Sequence, residues 1–287
     1  MPAPDIVLMS IVALHALVGL VAVLQLGGQS QRCRSLLWPL VLVSVLLDAV
    51  WLGLRALAIG AIPLTDTCEA CIFLALVFGL LYLLFGPSID RVWFGSVMGW
   101  ALLGLVLTAV AVSEPPVQVI AFATTPLAVG HAAIMVLAAA AVMFAAANSV
   151  LYLLASRRLK RKEVIYVLGR IPNMETLGRM NRVGLGAGFV LLTIGLITGL
   201  RLASSLGTGI ASWLTDGKVV SVAVVWGLLG TVLVLDRLAL LKERCRACAT
   251  LVAFVLVVFA IVGTALTGIT RHEFSRRDLP MIPTVAV

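Results

Sequence analysis

Three histidines, His15, His131 and His272, are the side chains of this sequence best suited to metal chemistry. A neutral imidazole is a common ligand of metal ions in proteins. A tryptophan in a short polar loop, Trp213, offers a flat apolar surface against which a planar ligand could pack. These four residues lie far apart in the sequence, so any shared role depends on the elements that position them.

The elements that carry these residues are predicted to be membrane spans. The chain has 287 residues, of which 62% are hydrophobic and 12% are charged, whereas soluble domains carry about 25% charged residues. Apolar runs recur along the whole length, and about 20 such residues can cross a bilayer core about 30 Å thick. We therefore predict an all-α, multi-pass membrane bundle that forms a single transmembrane domain over residues 1–287. Its eight predicted spans cover residues 5–27, 36–58, 69–85, 92–113, 129–155, 183–204, 219–241 and 247–269.

The basic residues predict how these spans are oriented. Fifteen of the 21 Lys and Arg residues lie on the side reached after the first, third, fifth and seventh spans, and six lie on the other side. The positive-inside rule assigns the richer side to the cytoplasm, which places both termini on the outer side. Topology thereby accounts for the net charge of +8, and nucleic-acid binding is not expected.

This topology brings several candidate residues to the outer face. His131 opens the fifth span, His272 follows the eighth, and Trp213 lies in the loop between the sixth and seventh. A pair of histidines could ligate haem iron, with the indole against the porphyrin and cationic side chains paired with the propionates. The alternative is that interfacial His and Trp residues simply lie at headgroup level. The candidate cations are Arg55, Arg201, Lys218 and Arg271.

Four stretches, taken in order, resemble the cytochrome c assembly family, which includes the haem-handling CcsA, ResC and CcmC proteins and HemX-like proteins. The stretch RALAIGAIPLTDTCEACIF resembles the Arg–Gly–Pro–Leu–Glu pattern of that family, through Arg55, Gly60, Pro63, Leu64 and Glu69. The stretch that begins at His131 supplies the first outer histidine. IPNMETLGRMNRVGLGAGFVLLTIGLITGL resembles a Pro…Glu…Leu segment followed by Gly-Phe-x-x-Leu-Thr-x-Gly, and SWLTDGKVVSVAVVW resembles a tryptophan-rich haem-binding loop.

The resemblance covers about residues 45–274 and is closest to HemX-like members. It implies a helical bundle that holds one haem b at an outer face formed by 131, 205–218 and 272, with His131 and His272 as axial ligands. The implied remainder of the haem site is Trp213, Lys218, Arg55, Glu69, Asp216, Arg201 and Arg271.

The resemblance also implies a role and a location. The protein would handle or deliver haem in cytochrome c biogenesis, without catalysis of its own, in a bacterial inner (plasma) membrane. Its partners would be membrane lipid, haem, and apocytochrome c or other assembly proteins. The alternatives are a HemX-like regulator of tetrapyrrole synthesis that acts through a partner of the cytoplasmic loop 156–182, and a haem-carrying subunit of a membrane redox complex.

Departures from the family pattern bear on whether this protein could also bind haem at an inner site. In the loop, Thr215 and Gly217 occupy the positions of a Trp and a Pro, and Val219 occupies that of a Glu in the larger members. Members that move haem across the membrane carry histidines within their spans, and Asp48 falls at the first of these positions and Val234 or Leu235 at the second. These departures disfavour an inner haem site and haem translocation.

Several residues keep two interpretations. Asp48 needs a partner in lipid, which could be Arg55 or another span, or it could belong to a proton path. His15 could bond a neighbouring helix or act as a ligand. Glu69 could orient an arginine or cap its own helix. Asp216 is predicted to cap the seventh span, because a carboxylate would repel a propionate.

The cysteines and glycines of the spans also permit structural roles. Cys68 and Cys71 have the spacing of a redox CxxC motif, but small packing residues or an inert disulfide are the favoured interpretation. The sixth span contains two GxxxG spacings, which predict close contact with another helix. They are formed by Gly184 with Gly188 and by Gly195 with Gly199.

Overall fold

A computed structural model describes residues 3–27, 30–89, 92–113, 125–162, 171–205 and 216–263. Within these ranges the chain is helical and contains no strand, and eight helices are long and apolar enough to cross a membrane. The prediction of an all-α bundle with eight spans is therefore confirmed. The helices are α1 (Ala3–Leu24), α2 (Ser30–Ile59), α3 (Thr67–Ile89), α4 (Val92–Ala111), α5 (Pro126–Lys160), α6 (Met174–Ser205), α7 (Gly217–Arg237) and α8 (Glu243–Val258), and a π-helical turn (Phe259–Gly263) follows α8.

The largest difference from the predicted spans is the start of α6. This helix begins at Met174, nine residues before the predicted span. Asn173 provides the start signal, because its side-chain oxygen accepts a hydrogen bond of 2.6 Å from the backbone N–H of Thr176. Hydropathy locates the apolar part of a helix, whereas the capping residue determines where the helix begins.

Two hydrophobic cores organise the bundle, and α5 contributes to both. One core joins α1 to α4 with one face of α5, through residues such as Phe78, Met98 and Phe144. The other core joins α6, α7 and α8 with a second face of α5, through residues such as Val142 and Leu229. The fifth helix is therefore the wall that the two halves of the bundle share.

Small residues bring α5 and α6 into close contact. An added Cβ at Gly184 would lie 2.9 Å from the Cβ of Ala145 and 3.0 Å from the carbonyl oxygen of Ala141. An added Cβ at Gly188 would lie 3.0 Å from Val142. Membrane helices associate through such close backbone approach, since lipid provides little hydrophobic drive between them. The GxxxG prediction of close packing is confirmed for α6 against α5.

A charged network joins α6, α7 and α8 at the end opposite to the start of α5. Arg246, which is 2% exposed, donates to Asp236, to Glu243 at 3.2 Å and to the side-chain oxygen of Asn181 at 3.1 Å. Arg182, whose side chain is 50% exposed, bonds the same two carboxylates at 3.0 and 3.4 Å. Both carboxylates are thus shared between a buried guanidinium and an exposed one.

This sharing predicts unequal costs for the same substitution at the two arginines. Arg246→Gln leaves Asp236 without its buried counterion and should lower the free energy of unfolding by about 3 kcal/mol. Arg182→Gln removes only a solvent-screened pair and should cost less than about 1 kcal/mol. Thermal unfolding of both variants in the same detergent measures the difference, and equal losses would contradict the network described above.

Candidate functional site

Five helix ends that carry predicted site residues lie at the same end of the bundle. Consecutive spans run in opposite directions, so the end of α2 and the starts of α3, α5 and α7 share a membrane face with the end of α6. This is the face that the charge pattern predicts to be the outer one. The alternation of spans therefore gathers residues as far apart in the sequence as Arg55 and Lys218.

His131 lies in the second turn of α5, against α6. Its Nδ1 atom is 3.1 Å from the carbonyl oxygen of Gly195 and 3.2 Å from Oγ1 of Thr198. Because a carbonyl can only accept, Nδ1 is assigned the ring hydrogen. Thr198 Oγ1 in turn donates to backbone carbonyls of its own helix, so it can accept from the ring. Nε2 of His131 then keeps its lone pair, which is the tautomer that a metal ligand requires.

Gly199 allows the ring of His131 to lie directly on α6. A Cβ at position 199 would come within 2.9 Å of Cε1 of the imidazole. Any larger residue there must displace the ring or the helix. The second GxxxG spacing thus brings the α6 backbone against His131, with Gly195 supplying the acceptor and Gly199 the space.

The start of α7 lies close to the same histidine. Asp216 caps the helix by accepting hydrogen bonds from the backbone N–H groups of Lys218, at 2.9 Å, and Val219, at 3.4 Å. The prediction that Asp216 caps this span is confirmed. The ammonium group of Lys218 is near enough to His131 to interact electrostatically with its ring. Three helices, α5, α6 and α7, therefore meet around His131.

A second polar cluster joins the end of α2 to the start of α3. Gly60, with a φ of 65°, follows the last residue of α2 in the left-handed conformation that often ends a helix. Nε of Arg55 donates to Glu69 at 2.7 Å and Nη2 donates to Asp66 at 3.2 Å. Glu69 also accepts from the backbone N–H and hydroxyl of Thr65, each at 2.8 Å.

This cluster reconciles the two interpretations of Glu69. The backbone N–H of Glu69 donates to Asp66 at 2.7 Å, and Glu69 accepts more weakly from the N–H of Asp66 at 3.4 Å. These two bonds form the reciprocal capping box of α3. Glu69 therefore caps its own helix with one carboxylate oxygen while the other orients Arg55.

The positive charge of Arg55 is already balanced by the acids of the cluster. One guanidinium faces the carboxylates of Asp66 and Glu69. Burial raises the pKa of Asp66 and repulsion from Glu69 raises it further, whereas the N–H of Glu69 and the Arg55 guanidinium act in the opposite direction. An anionic ligand group would compete with two carboxylates for Arg55, so Lys218 is the better placed cation.

The structure also resolves the partner of Asp48. Arg55 is bonded to Glu69 and Asp66, and Asp48 instead faces His15 of α1. The partner therefore comes from another span, which was one of the two interpretations. Asp48 and Arg55 lie two helical turns apart on α2, but the acids at the start of α3 bind Arg55 instead.

Other predicted site residues lie apart from these contacts or outside the described part of the chain. Arg201 is exposed near the end of α6. Trp213, Arg271 and His272 lie outside the described residues. Gly195 and Thr198 were missed as partners of His131, although their outer position on α6 and their spacing of three residues were a usable signal.

The two cysteines of the CxxC motif are free and buried in the structure. Cys68 and Cys71 are free thiols, 4% and 2% exposed, within the core of the first half of the bundle. The disulfide interpretation is therefore wrong for this state, and the packing interpretation fits. Cys245 and Cys248 are free and exposed at the start of α8. Among the described residues, no group of three or more His, Cys, Asp and Glu side chains is arranged to hold a metal ion.

The dual role of Glu69 predicts a stability loss that an exposed acid does not share. Glu69→Gln should lower the free energy of unfolding by about 3 kcal/mol, because it removes the charge that Arg55 faces in a buried pair. Glu175 occupies the first turn of α6, as Glu69 does that of α3, but it is exposed. Glu175→Gln should change stability by less than about 0.5 kcal/mol. Thermal unfolding in detergent separates the two, and a Glu69→Gln variant as stable as the Glu175→Gln variant would refute the role of the cluster.

One protein-family model matches most of this chain. The model of the cytochrome C assembly protein family matches residues 64–272, which is most of the chain and includes α3 to α8 entirely. The match ends at His272 and contains His131, Glu69 and the start of α7, whereas α1 and α2 precede it. No sequence among the curated proteins matches the chain.

Proposed function

The chain belongs to the cytochrome c assembly protein family, and we propose that within this family it holds one haem b at the outer face of the membrane. Family membership assigns this multi-pass membrane protein to cytochrome c biogenesis and to the handling of haem. The proposed role is to hold haem and deliver it, without bond-making catalysis. Bound haem would supply the iron chemistry, and the protein would supply ligation and orientation.

The observation that carries this proposal is the hydrogen bond between His131 and α6. The bond from Nδ1 to the Gly195 carbonyl fixes the ring orientation and leaves the Nε2 lone pair for a ligand. The residues around His131 therefore fit an axial ligand of haem iron.

The rest of the proposed site follows from charge and topology. Lys218 lies beside His131 and is the proposed partner of a propionate, with Arg201 and Arg271 as further cations at the same face. Asp216 is assigned to holding the start of α7, and Glu69 with Arg55 to holding the ends of α2 and α3. We propose His272 as the second axial ligand and Trp213 as the residue that packs against the ring.

Two positions within the spans support a single outer haem and a HemX-like branch of the family. Val234 is 58% exposed on α7, so its side chain faces away from the bundle. Asp48 is buried against His15 of α1. Neither position directs a ligand toward a common interior space, which supports haem handling at one face over translocation. We place the protein in a bacterial inner (plasma) membrane, with apocytochrome c or other assembly proteins as recipients.

Absorption spectra of the purified protein test the two proposed ligands. Wild-type protein reconstituted with hemin should give a low-spin haem spectrum when oxidised and when reduced. His131→Ala and His272→Ala should lose haem or become high-spin, because each removes one axial imidazole. His15→Gln is the matched control and should keep the wild-type spectrum. No haem in the wild type after incubation, or an unchanged spectrum in either alanine variant, would overturn the proposal.

A glycine substitution tests whether the position of His131 against α6 matters for the site. Gly199→Ala should displace the imidazole and weaken hemin binding by about 10-fold to 100-fold, as is usual when the support of a metal ligand is disturbed. Gly186→Ala on the same helix is the control, since a Cβ there meets no atom within 4 Å. Hemin titrations of the two folded variants give the comparison. Equal affinities would mean that ring placement does not govern binding.

A further inference from the structure

A buried pair of ionisable side chains lies within the membrane, outside the segment that matches the family. His15 on α1 and Asp48 on α2 are both 0% exposed, and Nε2 of the imidazole lies 3.5 Å from Oδ2 of the carboxyl group. Both residues fall in the middle of spans. The outer haem site makes no use of them, so their retention in lipid calls for a separate explanation.

Hydrogen bonding fixes how the imidazole of His15 is used. Nδ1 lies 2.9 Å from the carbonyl oxygen of Ile11, one turn earlier on the same helix. Because that carbonyl can only accept, Nδ1 carries a hydrogen, and Nε2 faces Asp48. Both nitrogens are thus directed at protein groups, and neither is available to iron or to another metal.

The carboxyl group of Asp48 has no other donor. Within the described part of the chain, neither of its oxygens accepts a hydrogen bond, and Nε2 of His15 has no hydrogen-bond partner either. A buried ion pair is stable only when its remaining lone pairs receive further hydrogen bonds, since both charges must be taken out of water. The bare environment therefore favours an uncharged pair.

We propose that His15 and Asp48 form a proton-binding site within the membrane that holds one exchangeable proton. The proton resides on the carboxyl group of Asp48, which faces Nε2 of the neutral His15 at 3.5 Å. The pair is then uncharged overall and joins α1 to α2. Loss of the proton would leave a net negative charge in the apolar core, and a second proton would leave a net positive charge.

The helices packed around the pair provide no charge that would replace this proton. Helix α1 packs against α2 and α4, and α2 also packs against α3. Helix α4 carries no titratable side chain. The nearest cation on α2 is Arg55, two turns away and already bonded to Glu69 and Asp66. The titratable side chains of α3 are Cys68, Glu69, Cys71 and Tyr82, and His15 is the only ionic partner of Asp48 among the described residues.

Infrared spectroscopy of the full-length protein in detergent tests where the proton lies. Wild-type protein at neutral pH should show the C=O stretching band of a protonated carboxylic acid, and the band should shift in heavy water. Asp48→Asn should abolish that band while keeping the fold, because its amide N–H can still donate to Nε2. Asp236→Asn is the matched control and should leave the band intact, since Asp236 is paired with Arg246 and Arg182. A band that persists in Asp48→Asn, or is absent from the wild type, would overturn the proposal.

A second measurement does not depend on any substitution at the pair. The variant His131→Ala/His272→Ala leaves His15 as the single histidine of the chain. Its ¹⁵N NMR spectrum at neutral pH should show a neutral imidazole with one protonated and one unprotonated nitrogen. An imidazolium signal would assign the proton to His15 and make the contact a charged ion pair, which contradicts the proposed site.

Discussion

The close contact between α5 and α6 is the interaction on which the rest of the structure depends. Gly184 of α6 faces Ala141 and Ala145 of α5, and Gly188 faces Val142, so the two backbones approach closely. The same contact continues to the end of α6, where Gly195 supplies a carbonyl acceptor and Gly199 a space for His131. Since α5 also contributes to both cores of the bundle, a shift of α6 against α5 would disturb the fold and the candidate ligand together. The glycines of α6 therefore serve both the packing of the bundle and the placement of the candidate ligand.

Lipid offers no hydrogen bonds, and this constraint explains how the polar side chains of the spans are arranged. At the end predicted to be cytoplasmic, Arg246 is enclosed by two acids and an amide drawn from three helices. At the opposite end, the cluster of Arg55, Asp66 and Glu69 fixes a tight connection between two spans. In both clusters every charge has several partners. His131 differs from them, because its neighbours engage one nitrogen of the ring and leave the other available for a ligand.

Hydropathy, charge and short motifs predicted the helical class, the eight spans and the cap at Asp216, since each of these depends on nearby residues along the chain. The GxxxG spacing likewise predicted that α6 would approach a partner, without identifying α5. Choices of partner could not be predicted, because they depend on which helices are neighbours in space. Arg55 pairs with the acids at the start of α3, and Asp48 instead faces His15, which lies 33 positions earlier in the sequence. The tautomer of His131 required the same three-dimensional information, because it rests on a carbonyl 64 residues away.

The contrast between His131 and His15 gives a physical criterion for separating a candidate ligand from a candidate proton site. Each histidine uses Nδ1 on a backbone carbonyl, so the direction of Nε2 decides its chemistry. For His15 that nitrogen faces a buried carboxyl group of another span, which offers a proton and occupies the position that a metal would need. For His131 the ring interacts electrostatically with the ammonium group of Lys218, which suits the anionic, iron-containing ligand that we propose. The surroundings of His131 therefore suit ligation of iron, and those of His15 suit the binding of a proton. Neither histidine would be expected to perform its role in the surroundings of the other.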